Sequence, residues 1–136
     1  MRGTMTHKKR GVSTTQRTIA HLRAQGITCG VVERFNPHVG EFGIRQDLFG
    51  IIDIIALDHT RGIIGIQTCS GSGVAAHRNK LLVEKGANSI DWLRTPGAKL
   101  EIMGWRKLKV KRGGKAMRWV PKIEEITLLD FPPYRF

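Results

Sequence analysis

Changes in the spacing of hydrophobic residues divide the first part of the chain into short elements. Residues 13–16 match a capping box, in which side chains satisfy the free N–H groups of a helix start, so a helix is predicted over residues 13–25. Gly26 is expected to end this helix in the left-handed conformation. Residues 27–32 favour a β-strand, and segment 36–43, which contains proline and glycine, is predicted to be a loop.

Two nearly continuous hydrophobic runs, residues 50–57 and 62–67, follow the loop. Because strands that are hydrophobic on both faces lie in the middle of a covered sheet, we predict two central strands. Residues 58–61 are few enough to join the two strands as a hairpin. Each strand contains a polar residue, Asp53 or Gln67, and an unpaired buried polar group costs about 1–3 kcal/mol. We therefore expect both side chains to be paired or functional.

The second half of the chain predicts helices first and strands afterwards. In order, the predicted elements are a helix over 74–85 ended by Gly86, a short helical segment over 88–93, a strand over 100–105, a half-exposed strand over 107–111, a turn at Gly113-Gly114 and a strand over 117–126. The whole order is α-β-β-β-α-β plus a C-terminal β-hairpin. It predicts an α/β (α+β) fold, with a mixed sheet between flanking helices.

Length and composition restrict the class of protein. A chain of 136 residues with 40% hydrophobic residues is sufficient for one folded domain, which we assign to residues 13–136 after a mobile basic arm over residues 1–12. The sequence contains neither a hydrophobic run of the roughly 18 residues that span a membrane nor a secretory signal. We therefore expect a cytoplasmic protein that does not associate with membranes. The two cysteines, Cys29 and Cys69, lack zinc-site spacing and are expected to be buried, inert thiols.

The charges are strongly unbalanced and unevenly distributed. The chain has 23 Lys and Arg against 11 Asp and Glu, a formal net charge of +12. Residues 99–122 contain nine basic residues and one acid, whereas residues 33–58 contain five acids and two arginines. A basic shell binds phosphates by releasing counterions, and an acidic island can hold a divalent cation. The alternative is that surface acids cluster by chance.

The acidic island overlaps the two central strands. Asp53 and Gln67 are predicted to lie side by side across the hairpin, where their oxygens can bind Mg²⁺ or Mn²⁺. Asp47, just before the strand, and Glu33, at the end of the first strand, are candidates for further ligands.

The order of elements, with Gly50-Ile51-Ile52-Asp53 and Ile66-Gln67-Thr68-Cys69-Ser70, resembles the PD-(D/E)xK nuclease superfamily over roughly residues 13–110. This superfamily includes restriction endonucleases, Holliday junction resolvases and VRR-type nucleases, and the segment 45–50 also looks like its phage-type and resolvase-like members. The resemblance implies a restriction-endonuclease-like fold in a prokaryotic or phage-infected cell. It also implies a Mg²⁺- or Mn²⁺-dependent DNA endonuclease, with branched DNA such as four-way junctions as a candidate substrate and a homodimer as the acting form.

By this resemblance, Asp53 takes the place of the metal-binding aspartate and Gln67 that of the acidic residue in the second half-motif. Asp47 and the Thr68 carbonyl would complete the metal site. The sequence departs from the pattern at Cys69, which occupies the position of the catalytic lysine and cannot supply a positive charge. The following helix offers two replacements, Arg78 and Lys80. If neither serves, the site has decayed, and the alternative function is non-catalytic nucleic-acid binding on the same fold.

The C-terminal hairpin, about residues 106–120, is the predicted nucleic-acid surface, although lysines also protect exposed strand edges. The residues expected to contact DNA are Arg45, Lys107, Lys109, Lys111, Arg112, Lys115 and Arg118. Trp92 and Trp105 are expected to pack in the core, whereas Trp119 remains open to stacking on bases. A lone His77 and the turn 70–73 are more simply explained as a packing residue and a flexible connection. A basic RNA-binding or ribosome-associated protein is a third alternative, but it leaves Asp53 and Gln67 unexplained.

Overall fold

A computed structural model describes residues 11–132, so nearly all of the basic arm predicted over residues 1–12 lies outside the described part. The helices are α1 (Thr14–Ala24), α2 (Val74–Asn79, continued by a π-helical turn over Lys80–Glu84) and α3 (Gly86–Arg94). The strands are β1 (Thr28–Val31), β2 (Arg34–Asn36), β3 (Ile44–Gln46), β4 (Ile54–Asp58), β5 (Gly62–Ser70), β6 (Ala98–Lys109) and β7 (Met117–Ile126). Short 3-10 turns cover Gly71–Gly73 and Leu128–Asp130.

Five strands form a mixed sheet in the order β1-β4-β5-β6-β7, and β2 pairs with β3 in a separate two-stranded ribbon. Neighbouring strands of the large sheet are antiparallel except for β5 and β6, which are parallel. A parallel pair needs a crossover connection, and α2 and α3 supply it. The predicted α/β (α+β) class, with a mixed sheet and helices, is confirmed.

The sheet has a hydrophobic core on each face. On one side, the ends of β5 and β6 pack with the helices of the crossover in a cluster that includes Val74, Leu81 and Ile102. On the other side, α1 contributes Leu22 to a cluster with Ile66 and Trp105. The central strands are therefore covered on both faces, as their continuous hydrophobic runs predicted.

Helix α1 begins as the sequence predicted. The Gln16 N–H donates to Ser13 Oγ, and the Ser13 N–H donates to Gln16 Oε1, each over 3.1 Å, which completes the capping box. Gly26 follows the helix with φ +76°, a conformation that glycine adopts without a steric cost. Within residues 11–132, α1 and the other helices are too short or too polar to cross a membrane.

The segment before β4 differs from the prediction. The hydrophobic run 50–57 suggested a strand from Gly50, but β4 begins at Ile54, and residues 48–51 form a tight turn closed by the Ile51 N–H and the Leu48 carbonyl over 3.1 Å. Phe49 and Gly50 both have positive φ in this turn, which the pattern of hydrophobicity does not reveal. The predicted loop over residues 36–43 connects β2 and β3, which form a short hairpin. The hairpin itself was not predicted, because three-residue strands leave no periodic signal.

Two other boundaries differ. Gly86 was expected to end the helix over 74–85, but it begins α3, because Lys85 rather than Gly86 takes the non-helical conformation at the junction. The strands predicted over 100–105 and 107–111 are one continuous strand, β6, whose second half extends beyond the core. The turn at Gly113 and the strand over 117–126 are confirmed.

Candidate metal centre and nucleic-acid surface

Asp53 and Gln67 lie on adjacent strands at the same end of the β4–β5 hairpin. Asp53 immediately precedes β4, and its N–H donates to the Ile66 carbonyl over 2.9 Å. Because Ile54 is paired with Ile66 in the antiparallel register, Asp53 lies opposite Gln67, as the sequence predicted. Both side chains are buried, with exposures of 6% and 0%.

Glu33, Asp47 and Asp53 form an acidic cluster that could hold a metal ion. Their carboxylate oxygens lie within 4.8 Å of one another. Each residue lies at the end of a different element, since Glu33 is two residues after β1, Asp47 follows β3 and Asp53 precedes β4. Three of the predicted ligands are therefore brought together although they are up to 20 residues apart in the sequence.

Within the acidic cluster, the pKa values of Asp53 and Asp47 are shifted in opposite directions. Burial, together with the neighbouring Asp47, raises the pKa of Asp53 to about 8. Burial also opposes ionisation of Asp47, but hydrogen bonds from Asp53, Lys80 and Gln67 outweigh it and hold the pKa of Asp47 below its usual value. At neutral pH, the pair therefore shares a proton and carries one negative charge fewer than two free carboxylates. A divalent cation would replace that proton.

Two hydrogen-bond donors converge on one oxygen of Asp47. Lys80 Nζ and Gln67 Nε2 each donate to Asp47 Oδ2 over 2.7 Å. Lys80 approaches from the π-helical turn that continues α2, and its side chain is 30% exposed. The candidate lysine replacement therefore contacts the acidic cluster directly.

His77 fixes the other end of the Gln67 amide. His77 Nδ1 lies 2.7 Å from Gln67 Oε1, and because that oxygen can only accept, the ring must donate through Nδ1. Burial and the nearby Lys80 lower the pKa of His77, which favours the neutral ring. His77 was expected to be a packing residue, and its hydrogen bond to Gln67 was not predicted from the sequence. Its position ten residues after Gln67, at the start of the next helix, was the available signal.

Thr68 and Cys69 continue β5 beyond Gln67 and face opposite sides of the sheet. The Thr68 N–H donates to Asp53 Oδ2 over 3.0 Å, while its hydroxyl pairs with Thr18 of α1 over 2.8 Å. The Thr68 carbonyl as a metal ligand stays a prediction. Cys69 is buried, and burial raises the pKa of its thiol to about 11. It is therefore neutral and supplies no positive charge at the lysine position.

Arg78, the other candidate replacement for the catalytic lysine, has different partners from Lys80 and makes no hydrogen bond to Glu33, Asp47 or Asp53. Arg78 forms ion pairs with Asp130 over 2.8 Å and with Glu124 over 3.4 Å. Residues two positions apart on a helix point in different directions, so the helix that directs Lys80 toward Asp47 directs Arg78 toward β7 and the C-terminal turn.

Arg45, a predicted nucleic-acid contact, lies at the rim of the acidic cluster. Its guanidinium donates to Glu33 Oε1 over 2.9 Å, while the side chain stays 76% exposed. Arg45 therefore positions Glu33 and presents charge to the solvent at the same time.

The basic hairpin consists of the outer ends of β6 and β7 and the turn between them, residues 106–120. Its basic residues are all exposed, and among residues 11–132 they have no acidic partner within ion-pair distance: Arg106, Lys107, Lys109, Lys111, Arg112, Lys115 and Arg118. Seven unneutralised cations on one ribbon form a surface suited to a polyanion.

The three tryptophans have different environments. Trp105 is buried and donates to Thr18 Oγ1 over 2.8 Å, and Trp92 donates to the Lys99 carbonyl over 2.6 Å, so the prediction that both pack in the fold is confirmed. Trp119 is 43% exposed on the basic hairpin, with the Arg17 guanidinium 4.1 Å from its ring centre. One face of this indole is therefore occupied by a cation.

No protein-family model matches this chain, and comparisons with curated proteins and with solved structures found no match either. The geometry of the acidic cluster and the distribution of charge are therefore the features that indicate a function.

Proposed function

We propose that this chain is a metal-dependent DNA endonuclease that hydrolyses phosphodiester bonds at the acidic cluster. The observation that carries the proposal is the convergence of Glu33, Asp47 and Asp53 within 4.8 Å, with Lys80 on Asp47. The resemblance to PD-(D/E)xK nucleases expects this combination of carboxylates and a cation at the end of a β-hairpin. The exposed basic hairpin supports DNA as the ligand.

The donor set fits Mg²⁺ or Mn²⁺. Both ions prefer carboxylate and other oxygen ligands, and the shared proton on the Asp47–Asp53 pair indicates excess negative charge that a cation would neutralise. Asp53, Asp47 and Glu33 would hold the ion. A bound ion would lower the pKa of a water ligand and offset the charge that develops on the phosphate.

The remaining residues orient and charge the centre. Gln67 is held between His77 and Asp47, which fixes the direction of the Asp47 carboxylate. The Thr68 N–H holds one oxygen of Asp53 in the same way. Lys80 places a positive charge beside the carboxylates, which is the electrostatic role that the buried Cys69 does not perform.

A non-catalytic nucleic-acid-binding protein is the alternative, and the neutral thiol of Cys69 favours it. The two functions differ in one respect. Both need the basic hairpin, but only the nuclease needs the buried carboxylates of the acidic cluster. A homodimer that cuts both strands of a branched DNA is a further proposal from the resemblance.

The test is cleavage of end-labelled linear duplex, branched duplex and four-way-junction DNA by the full chain in Mg²⁺, Mn²⁺ or EDTA. We expect cleavage in either metal and none in EDTA. Asp53→Asn should reduce the rate at least about 100-fold and leave DNA affinity equal or higher, because Asp53 is not part of the basic hairpin that binds DNA.

Glu125→Gln is the matched control, because it removes an exposed carboxylate from β7 outside the acidic cluster. It should cleave as the unmodified chain does. Tight, salt-sensitive binding with no cleavage of any substrate would overturn the nuclease proposal in favour of the non-catalytic alternative. Equal loss of binding and cleavage in Asp53→Asn would contradict the role assigned to Asp53.

A further inference from the structure

A groove of about 690 Å³ opens beside the acidic cluster. Its lining combines hydrophobic and basic side chains, and Asp47 of the acidic cluster belongs to its wall. The lining includes Phe49 and the basic residues Arg34, Lys80 and Lys85. A mixed hydrophobic and cationic wall next to carboxylates fits a ligand that has both flat hydrophobic parts and anionic groups.

Phe49 is the aromatic residue among those that line this groove. Its side chain is 59% exposed and its backbone has φ +56°. The following residue, Gly50, also has positive φ, +73°. Two consecutive residues of positive φ make a turn in which asparagine and glycine are the usual residues. Phenylalanine is disfavoured here both by its backbone conformation and by its exposure to water. Such strain at an exposed side chain is a sign of a functional constraint.

Phe49 also lines a second, smaller cavity of about 250 Å³. Trp92 contributes a second aromatic ring to this cavity, and Asn88, Asp91 and Thr95 contribute polar groups. Asn88 holds the turn in place, since its Nδ2 donates to the Phe49 carbonyl over 2.8 Å. Phe49 therefore lines both cavities, and its backbone is fixed by Asn88.

The cations Arg34, Lys80 and Lys85 line the same groove as Phe49. Arg34 is exposed on β2, and the Lys85 side chain lies over Gly50, so close that a Cβ on that glycine would meet Lys85 Cε at 3.2 Å. Lys80 completes the set at Asp47. A nucleic-acid strand satisfies all of these groups, because its bases stack on aromatic rings and its phosphates pair with lysine and arginine.

We propose that this groove binds a DNA strand at an unpaired nucleotide, with the base stacked on Phe49 and the neighbouring phosphates on Arg34 and Lys85. The inference deepens the proposed function, on which it rests, by naming the substrate class: DNA with unpaired bases next to the bond presented to the acidic cluster. A fully paired duplex keeps its bases stacked on one another and cannot use the Phe49 ring.

The test measures binding of the full chain in EDTA, where no cleavage is expected, to two DNAs of equal length. One is a perfect duplex, and the other carries a single unpaired 2-aminopurine, whose fluorescence falls on stacking. We expect tighter binding of the second DNA with quenching. Phe49→Asn should weaken that binding about tenfold, the scale of one base–aromatic stack, and abolish the quenching.

Phe42→Asn is the control, because Phe42 is 85% exposed but does not line the groove. It should retain both affinity and quenching. Asparagine suits the turn at position 49, so loss of binding there would not reflect unfolding.

The outcomes separate this inference from the proposed function. Metal-dependent cleavage without any preference for unpaired bases would overturn the inference and leave the nuclease intact. Tighter binding of the DNA with the unpaired base, with quenching but without cleavage, would support the inference and overturn the nuclease proposal. A change of oligomeric state in Phe49→Asn, seen by sedimentation with DNA affinity unchanged, would make the groove an interface between copies and overturn the inference.

Discussion

Asp53 and Phe49 lie four residues apart, and each is held in a state that an isolated residue does not favour. Asp53 is a buried carboxyl whose pKa is raised to about 8, and Phe49 is an exposed ring with positive φ. Folding alone requires neither state, since a neutral side chain and an asparagine would suit these positions better. Phe49 lines the groove, and Asp47, the neighbour that shares a proton with Asp53, belongs to the wall of the same groove, which is why we connect both residues with function.

The raised pKa of Asp53 predicts how the stability of the metal-free protein changes with pH. The folded state keeps the proton up to about pH 8, whereas the unfolded chain releases it near 3.8. Between these values the folded state binds more protons, so stability falls as the pH rises from about 4 to 8. Urea unfolding in EDTA should show this fall. Asp53→Asn should flatten it and be more stable than the unmodified chain at pH 8.

Glu125→Gln should keep the pH dependence of the unmodified chain. Added Mg²⁺ should restore stability at pH 8 in the unmodified chain and in Glu125→Gln, and should have little effect on Asp53→Asn. A pH profile that is the same with and without the Asp53 carboxyl would refute the assignment of the buried proton.

The turn at Phe49 predicts a gain in stability when the ring is lost. Phe49→Asn should raise the free energy of unfolding by about 1 kcal/mol, since asparagine tolerates positive φ and phenylalanine does not. Phe42→Asn should change it little, because Phe42 is almost fully exposed and is not in a positive-φ conformation. Destabilisation by Phe49→Asn would mean that the ring contributes to packing rather than to binding.

At the scale of elements, the sequence predicted the strands that carry the acidic cluster better than the short ribbon that completes it. The continuous hydrophobic runs gave the β4–β5 hairpin and hence the pairing of Asp53 with Gln67, because antiparallel register follows from a short turn. Glu33 and Asp47 were proposed as ligands from their places next to strands, and the short β2–β3 ribbon between them was not seen. That ribbon returns the chain to β4 and thus brings Glu33 and Asp47 together.

Side-chain direction on the crossover helix was the part that hydrophobic pattern could not supply. Arg78 and Lys80 were both candidates in the sequence, and helical spacing placed Arg78 on the face predicted to meet the sheet. The π-helical turn over Lys80–Glu84 has no local signature. His77 was set aside because one histidine on a helix carries little information by itself. Its hydrogen bond to Gln67 depends on where α2 packs against β5, which is a property of the folded core.

The junction of the β4–β5 turn with the start of β6 contains the tightest backbone approach in this part of the sheet. Gly62 has φ +113°, and a Cβ there would overlap the Gly97 carbonyl oxygen. Gly62→Ala should therefore destabilise the fold by at least about 3 kcal/mol, from backbone strain and overlap together.

Gly113→Ala separates these two contributions. Gly113 has φ +78° with nothing within 4 Å of a Cβ, so its replacement should cost only about 1–2 kcal/mol. Equal destabilisation of both variants in urea unfolding would show that the approach of Gly62 to Gly97 is unimportant.

Over the whole molecule, opposite charges are separated into two surfaces. The acidic cluster is half-buried between the sheet and α2, whereas the basic hairpin extends the outer ends of β6 and β7 into solvent. A net charge of +12 attracts a polyanion from a distance, and the acidic cluster then acts only at short range. The two surfaces should therefore contribute separately to binding and to catalysis.

This separation predicts a variant that loses DNA binding without losing the metal. Replacement of Lys107, Lys109 and Lys111 by glutamine should weaken DNA binding and reduce the slope of log affinity against log salt by about 2 to 3. Mn²⁺ affinity should not change. An unchanged salt slope would place the DNA on another surface of the molecule.

The central claim is that the acidic cluster holds a divalent cation, and a calorimetric titration of the full chain with Mn²⁺ at pH 8 tests it most directly. We predict one saturable site in the unmodified chain and in Glu125→Gln, and affinity at least about tenfold weaker in Asp53→Asn. Equal Mn²⁺ binding by all three proteins, or no saturable binding by any of them, would contradict the account.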